Sequence, residues 1–363
     1  MKKSTVRLVF DGLKKYCREG VFTNCVVGCF KRGEAGCEKH FFCCRDDGDT
    51  GNCTVTESEG EDFVFDLASL TKVLVTIPSL LLLVGAGKIN FQQRLRDFYP
   101  EAPSPLAEVT LFQLINHNSG LPAHREYYQS LINLPEENRF ETAVQSILAE
   151  RVEAGAGEKT IYSDLGYILL GSIIEKVTGK GLEQFWQQAL QIPCSLEKSL
   201  FFGDEMRKKG IIPVSTGRSI WNGEQLQGRV HDDNCRVLGG VGGHAGLFGN
   251  CKGVLEMAEL FYNTYHGEGT LLPEKIFQEM VNRKEGERRC GFDTPTGEIS
   301  SSGHLFSLLT IGHLGFTGTS MWIDLQRGVG IVLLTNRVCR GEDISGIRSM
   351  RPEIHDILMK SLV

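Results

Sequence analysis

Residues 63–88 read FVFDLASLTKVLVTIPSLLLLVGAGK. Phe63–Asp66 reads as a short strand, and Ser69 opens an apolar helix. The run 73–87 holds 15 residues between Lys72 and Lys88, short of the roughly 18–20 that a bilayer crossing needs. It is therefore expected to be a buried core helix. Ser69 and Lys72 stand three apart and share one helix face. At a helix N-terminus a serine hydroxyl meets free backbone N–H groups and the positive end of the dipole, both of which favour an oxyanion there. A lysine beside it lowers the cost of deprotonating the hydroxyl.

Strand patterns lie at both ends of the chain. Phe22–Phe30 and Glu38–Cys44 read as strands separated by Gly-containing turns. Toward the other end, 305–311, 319–324 and 329–335 are strand-like, and Gly328–Thr335 is continuously apolar, as in a strand covered on both faces. Helical spacing marks 4–18, where Val6, Phe10, Leu13 and Cys17 recur, and then 110–118, 139–152, 163–178, 181–190, 252–264, 272–281 and 343–361. Residues 191–250 are irregular and rich in Gly and Asn. The simplest packing is an α+β fold, with one antiparallel sheet built from both ends and covered by terminal helices. A mostly helical region is inserted between them. The expected division is 1–80 with 231–363 as the sheet domain and 81–230 as the helical one, with the site in the cleft between.

The whole-chain numbers exclude several classes. There are 363 residues, 41% hydrophobic and 23% charged, with a net charge of -6. A coiled coil, a collagen or a disordered chain is excluded, and a dedicated nucleic-acid binder would carry a basic face. Of twelve cysteines, seven fall in the first 53 residues. Their spacings match no zinc pattern well, and small buried or surface thiols are the expected reading. Met1-Lys2-Lys3 looks like the start of an export signal, but Asp11, Lys14 and Lys15 break the apolar run. A cytoplasmic protein with reduced thiols is expected, with no membrane and no nucleic-acid partner. The oligomeric state is open.

Two further segments carry chemistry. Tyr162-Ser163-Asp164 follows the Gly-rich turn 154–157 and opens the apolar helix 165–177. A phenol near a lysine ammonium is expected to have a depressed pKa and to serve as a general base. His313-Leu314-Gly315 ends one strand-like run and leads through 316–320 to the next, where an edge N–H can face an oxyanion. Asn116-His117-Asn118 reads as a turn that buttresses the site, and His231, Asp232 and Asp233 as a cap-forming loop. The run 239–246 lacks the Lys-Ser/Thr of a phosphate loop. No G-x-S-x-G elbow occurs, which argues against an α/β-hydrolase.

Taken together and in this order, the three segments resemble the S-x-x-K, Y-x-N and K-T-G set of the serine β-lactamase and penicillin-binding-protein superfamily. The tyrosine-type second motif is similar to that of class C β-lactamases, D-aminopeptidases and related esterases. Phe65–Lys72, Asn116–Pro122, Tyr162–Gly171 and Gly312–Ser320 carry the likeness, which runs from about 20 to about 340. Val230–Asn234 and Gly242–Phe248 resemble cytoplasmic-type members. The resemblance implies a β-lactamase/transpeptidase-like sheet of about five strands flanked by helices. It implies Ser69 as the acylated nucleophile, Lys72 as its activating partner and Tyr162 as general base. It also implies an oxyanion hole from the N–H groups of Ser69 and Phe316, with Asp164, His313 and Gly315 lining the substrate pocket and His244 at its rim.

Two residues depart from the pattern. Asp164 stands where Asn offers an amide donor, and when ionised it only accepts; its charge is expected to keep Lys72 protonated. His313 replaces a fixed cation by a titratable one, so binding is expected to change near pH 6–7. The resemblance implies that the lysine-type motif helps to bind the carboxylate of β-lactams and D-Ala-D-Ala peptides, so loss of that cation weakens the case for an efficient β-lactamase. The expected activity is serine hydrolysis of a small ester, amide or cyclic amide through an acyl-enzyme, without metal or organic cofactor. The rivals are a β-lactamase or D-Ala-D-Ala-type peptidase and, in another class, a catalytically silent scaffold of the same fold.

Overall fold

Alternation along two strands explains the layering. Successive strand side chains point to opposite faces, and Val26 and Phe30 join one buried cluster while Val27 and Cys29 join another. In residues 329–335, Val332 and Leu334 belong to the first cluster, and Val329, Ile331 and Leu333 to the second. A sheet covered on both faces results. The computed structural model describes residues 1–34, 36–48, 52–297, 300–341 and 343–363.

The strands are β1 (Asn24–Gly33), β2 (Gly36–Asp46), β3 (Cys53–Ser58), β4 (Phe65–Asp66), β5 (Leu200–Phe201), β6 (Phe248–Gly249), β7 (Lys284–Glu285), β8 (Arg288–Arg289), β9 (Phe292–Asp293), β10 (Thr310–Leu314), β11 (Ser320–Asp324) and β12 (Val329–Thr335). Among the described residues the main sheet has nine strands in the order β3-β2-β1-β12-β11-β10-β9-β8-β7, with antiparallel neighbours. The sequence reading expected about five. The surplus comes from β3, a half-exposed edge, and from β7–β9, pieces of two residues each that are too short to show periodicity. β4 pairs outside the main sheet, in a small sheet of order β4-β6-β5.

Helices Lys3–Arg18 and Ser345–Leu362 cover one face, where Val9, Leu13, Met350, Ile354 and Leu358 meet the sheet. Helix Cys251–Tyr265 lies on the other face, and there the buried cluster continues without a break into the helices Ile77–Gly85 and Asp164–Thr178. No helix among the described residues is long and apolar enough to cross a membrane.

Candidate active site

Ser69 stands where β4 gives way to a helix. Leu67 pairs with Leu247 and Ala68 takes a left-handed φ of 47°, a conformation that a non-glycine residue adopts only when its surroundings hold it. Asp66 accepts the N–H of Ala68 at 2.9 Å and of His231 at 2.7 Å; burial raises its pKa to about 6. After Ser69 the chain enters a π-helical turn, Lys72–Thr76, before regular helix resumes. Such turns concentrate at functional sites.

Lys72 is fully buried. Its Nζ donates to Ser69 Oγ at 2.9 Å, to Asp164 Oδ1 at 2.7 Å and to the His244 carbonyl at 2.9 Å. Burial opposes its charge, but Asp164 and Tyr162 outweigh burial and raise its pKa. Asp164 is the mirror case: burial pushes it up, and Lys72, His124 and His244 together bring it well below the usual carboxylate range. The resting site therefore holds an ammonium–carboxylate pair.

Tyr162 lies with its ring centroid 5.0 Å from Lys72 Nζ. Burial raises its pKa, and the charge of Lys72, with hydrogen bonding of Lys72 and Ser69 to the phenol, recovers only part of that rise. The depressed phenol expected from the sequence is thus corrected, because the lysine that would depress it sits in the same buried space as Asp164. The ring lies tilted against His117, centroids 4.5 Å apart. His117 in turn accepts the Ser163 N–H at its Nδ1, 3.0 Å, while Ser163 caps helix Asp164–Thr178 through Gly166.

The β10–β11 turn is fastened to the segment before Ser69. Thr317 Oγ1 donates to the Asp66 carbonyl at 2.7 Å and Thr319 Oγ1 to that of Leu67 at 3.2 Å. Arg351 donates to the carbonyls of Gly315 and Thr319, and Arg337 to that of Phe316. The turn so fastened lines the cleft together with Ser69. A side chain at Gly315 would have no room, since a Cβ there lies 2.0 Å from Thr319 Oγ1.

His313 is buried, with its ring 6.0 Å from that of Tyr162. Burial, then Arg288 and Lys72, lower its pKa well below 6.5. It is neutral through the physiological range, which corrects the expected titratable cation. His244 is also buried rather than at a rim; its carbonyl holds Lys72 and its Nε2 meets Asp232 at 3.0 Å. Asp232 caps the short helix Asp233–Val237.

Two lobes open from Ser69, Tyr162 and Phe316. One, about 350 Å³, is lined by His124, Asp164, His231, Asp232 and Asp233. The other, about 410 Å³, is lined by His313, Gly315, Asp293 and four arginines. Sequence reasoning missed His124, whose Nδ1 lies 3.6 Å from Asp164 Oδ2, and Arg288, whose guanidinium lies 5.3 Å from the Tyr162 ring centroid. Away from the cleft, the sulfurs of Cys17, Cys44 and Cys53 lie within 4.8 Å of one another.

This geometry brings a serine, a lysine and a tyrosine together in one cleft. The family model described as Beta-lactamase matches residues 47–350; the chain belongs to the β-lactamase family and is a hydrolase of its serine type. An N-acetylmuramyl-L-alanine amidase of Bacillus subtilis (strain 168) is 29% identical, over 76% of this chain and 68% of its own. Two solved structures share the fold. EstCE1, a hydrolase with promiscuous acyltransferase activity, has a TM-score of 0.69 at 17% identity, covering 98% and 99% of the two chains. A class C β-lactamase of Rhodobacter sphaeroides has a TM-score of 0.67 at 15% identity, with the same coverage.

Proposed function

We propose that Ser69 is acylated by a small ester, amide or cyclic amide, with Lys72 and Tyr162 as its activating pair. The observation that carries this is the contact of Lys72 Nζ with both Ser69 Oγ and Asp164 beneath the Tyr162 ring. Because Lys72 rests protonated, it acts as a fixed charge and hydrogen-bond donor, and the base is the phenolate form of Tyr162. As Ser69 Oγ bonds to the substrate carbonyl carbon, its proton passes to Tyr162. The N–H groups of Ser69 and Phe316 receive the oxyanion. The bond to the leaving group then breaks, and the proton goes on to that group. Water, deprotonated by Tyr162, repeats the sequence and releases the acid.

The reaction sits between the sheet unit (1–80 and 231–363), which supplies Ser69, Lys72, His313 and Phe316, and the helical unit (81–230), which supplies Tyr162 and Asp164. A small-molecule substrate suits lobes of this size. We also place the protein in the reducing cytoplasm, a reading supported by its twelve free thiols.

The test is intact-protein mass spectrometry after a fluorophosphonate probe, with wild type beside Ser69→Ala. Parallel samples receive a p-nitrophenyl ester and a chromogenic cephalosporin. One adduct, lost in Ser69→Ala, with ester turnover is the expected result. Dominant cephalosporin turnover would make it a β-lactamase, and absence of both adduct and turnover would leave a binding protein.

A further inference from the structure

Three thiols far apart in the sequence meet on the sheet face that the terminal helices cover. Cys17 stands in the last turn of helix Lys3–Arg18, Cys44 on β2 and Cys53 at the start of β3. Cys17 and Cys44 are buried and Cys53 is half-buried. Their sulfurs lie within 4.8 Å of one another, and among the described residues no fourth histidine, cysteine or carboxylate joins them.

Strand register explains the meeting. Cys44 stands opposite Val55, and Cys53 opposite Asp46. Residues two apart share a face, so Cys44 and Cys53 form a diagonal pair under the helix. Cys44 Sγ lies 3.9 Å from the Leu13 carbonyl and Cys53 Sγ 3.9 Å from that of Lys14. Such contacts are weak, because S–H is a poor donor. Diagonal neighbours stand roughly 7–8 Å apart, whereas a disulfide wants Cα atoms within about 6.8 Å. A metal ion needs less. Zinc–sulfur bonds of about 2.3 Å put the sulfurs of a tetrahedral site roughly 3.8 Å apart, which small side-chain rotations reach.

The sulfurs also share charge. Hydrogen bonding from Cys44 lowers the pKa of Cys17 against burial, and Cys53 adds to it. The same bond, followed by burial, raises that of Cys44. Arg340 favours the Cys17 thiolate. Burial raises the pKa of Cys53, and Arg18 opposes the rise. A thiolate held by two thiols in a largely apolar space is a charge that a bound cation completes.

We propose that Cys17, Cys44 and Cys53 bind one thiophilic metal ion, zinc(II) or copper(I), in a three-sulfur site that clips the first helix to the edge hairpin β2–β3. As each sulfur bonds to the ion, its proton leaves to solvent, so binding tightens as pH rises. Soft thiolate ligands select these two ions. Zinc(II) takes a fourth ligand, and the half-buried Cys53 leaves an approach for water. The clip acts where the sheet is weakest, since β3 is a half-exposed edge strand. It does not depend on Ser69.

The test reduces the full chain, strips it with a chelator and titrates it without air. Zinc(II) and copper(I) are added in separate samples against a chromogenic chelator, and native mass spectrometry counts bound ions. One ion per chain is expected with at least one metal, together with a raised Tm. Cys17→Ser and Cys53→Ser should each weaken binding about a hundredfold or more, beyond the loss of an outer partner. Cys194→Ser should leave it unchanged. Cys53→Ser alters only a half-buried position, so it keeps the test decisive if Cys17→Ser does not fold. Cobalt(II) gives a second readout: its thiolate charge-transfer band should appear in wild type and weaken in Cys53→Ser. Failure to take up either ion overturns the proposal, as does uptake that Cys53→Ser leaves unmoved. If the chain instead only loses two hydrogens in air, the cluster is a redox dithiol and the metal site is overturned.

Discussion

Lys72 and Asp164 meet at 2.7 Å with the ammonium wholly buried, at the position where relatives with a Y-x-N motif carry a neutral amide. The aspartate raises the pKa of Lys72 and also that of Tyr162. One carboxylate therefore biases both groups toward their protonated forms.

Removing that charge should lower both values. In Asp164→Asn the rising limb of kcat/KM against pH is expected to move down by about one unit, the scale of one charge at contact. At pH 7 the ester rate rises accordingly. A limb that stays in place, or moves up, would show that Asp164 does not govern Tyr162.

The same pair should make the fold acid-sensitive. Asp164 has a depressed folded-state pKa, so its contribution is fully present above the unfolded carboxylate value near 4 and fades as pH falls below it. Asp164→Asn is expected to cost about 3 kcal/mol at pH 7, and about 1 kcal/mol less at pH 3, where the unfolded chain's carboxyl is protonated. Urea melts at the two pH values give the comparison; an equal deficit at both would contradict it.

Between pH 5 and 8, KM should show no step from His313. His124 is different: the hydrogen bond to Asp164 raises its pKa from 6.5 against the effect of burial. An inflection in the activity profile above pH 6.5 is expected to vanish in His124→Gln and to survive in His313→Gln. The opposite pattern would return the titrating role to His313.

Gly315→Ala probes the β10–β11 turn, where the oxyanion hole is proposed. The new methyl must displace Thr319 Oγ1 or the Leu67 carbonyl, 2.7 Å away. A stability loss of about 1–3 kcal/mol is expected. The loss in kcat should be about a hundredfold, the usual worth of one oxyanion donor. Normal turnover with a lowered Tm would separate the turn from the chemistry.

Much of this was legible in the residues. The apolar run 329–335 announces a strand covered on both sides, and the four-three-four spacing of Val6, Phe10, Leu13 and Cys17 announces the first helix. Ser69, Lys72, Tyr162 and Asp164 are near neighbours in space, although Tyr162 and Asp164 lie some ninety residues further along. What stayed hidden depends on surroundings. Residues 53–58 alternate between half-buried and exposed and carry too little apolar signal to mark a strand. Arg288 lies in a hairpin whose strands are two residues long, so nothing local marks it. The protonation states of Tyr162 and His313 follow from burial and from charges remote in sequence, which no motif records.

The order of the main sheet has a consequence for how the chain comes to fold. β1 and β12 are adjacent, with Cys25 opposite Thr335 and Lys31 opposite Val329. During synthesis the first hairpin waits for some three hundred residues before its inner edge is covered. Closing so distant a contact is slow, and an unpaired, apolar strand edge invites other chains to pair with it. The wait ends only when residues 329–335 emerge, so early termination anywhere before them leaves the nascent protein sticky, whatever the state of its active-site serine.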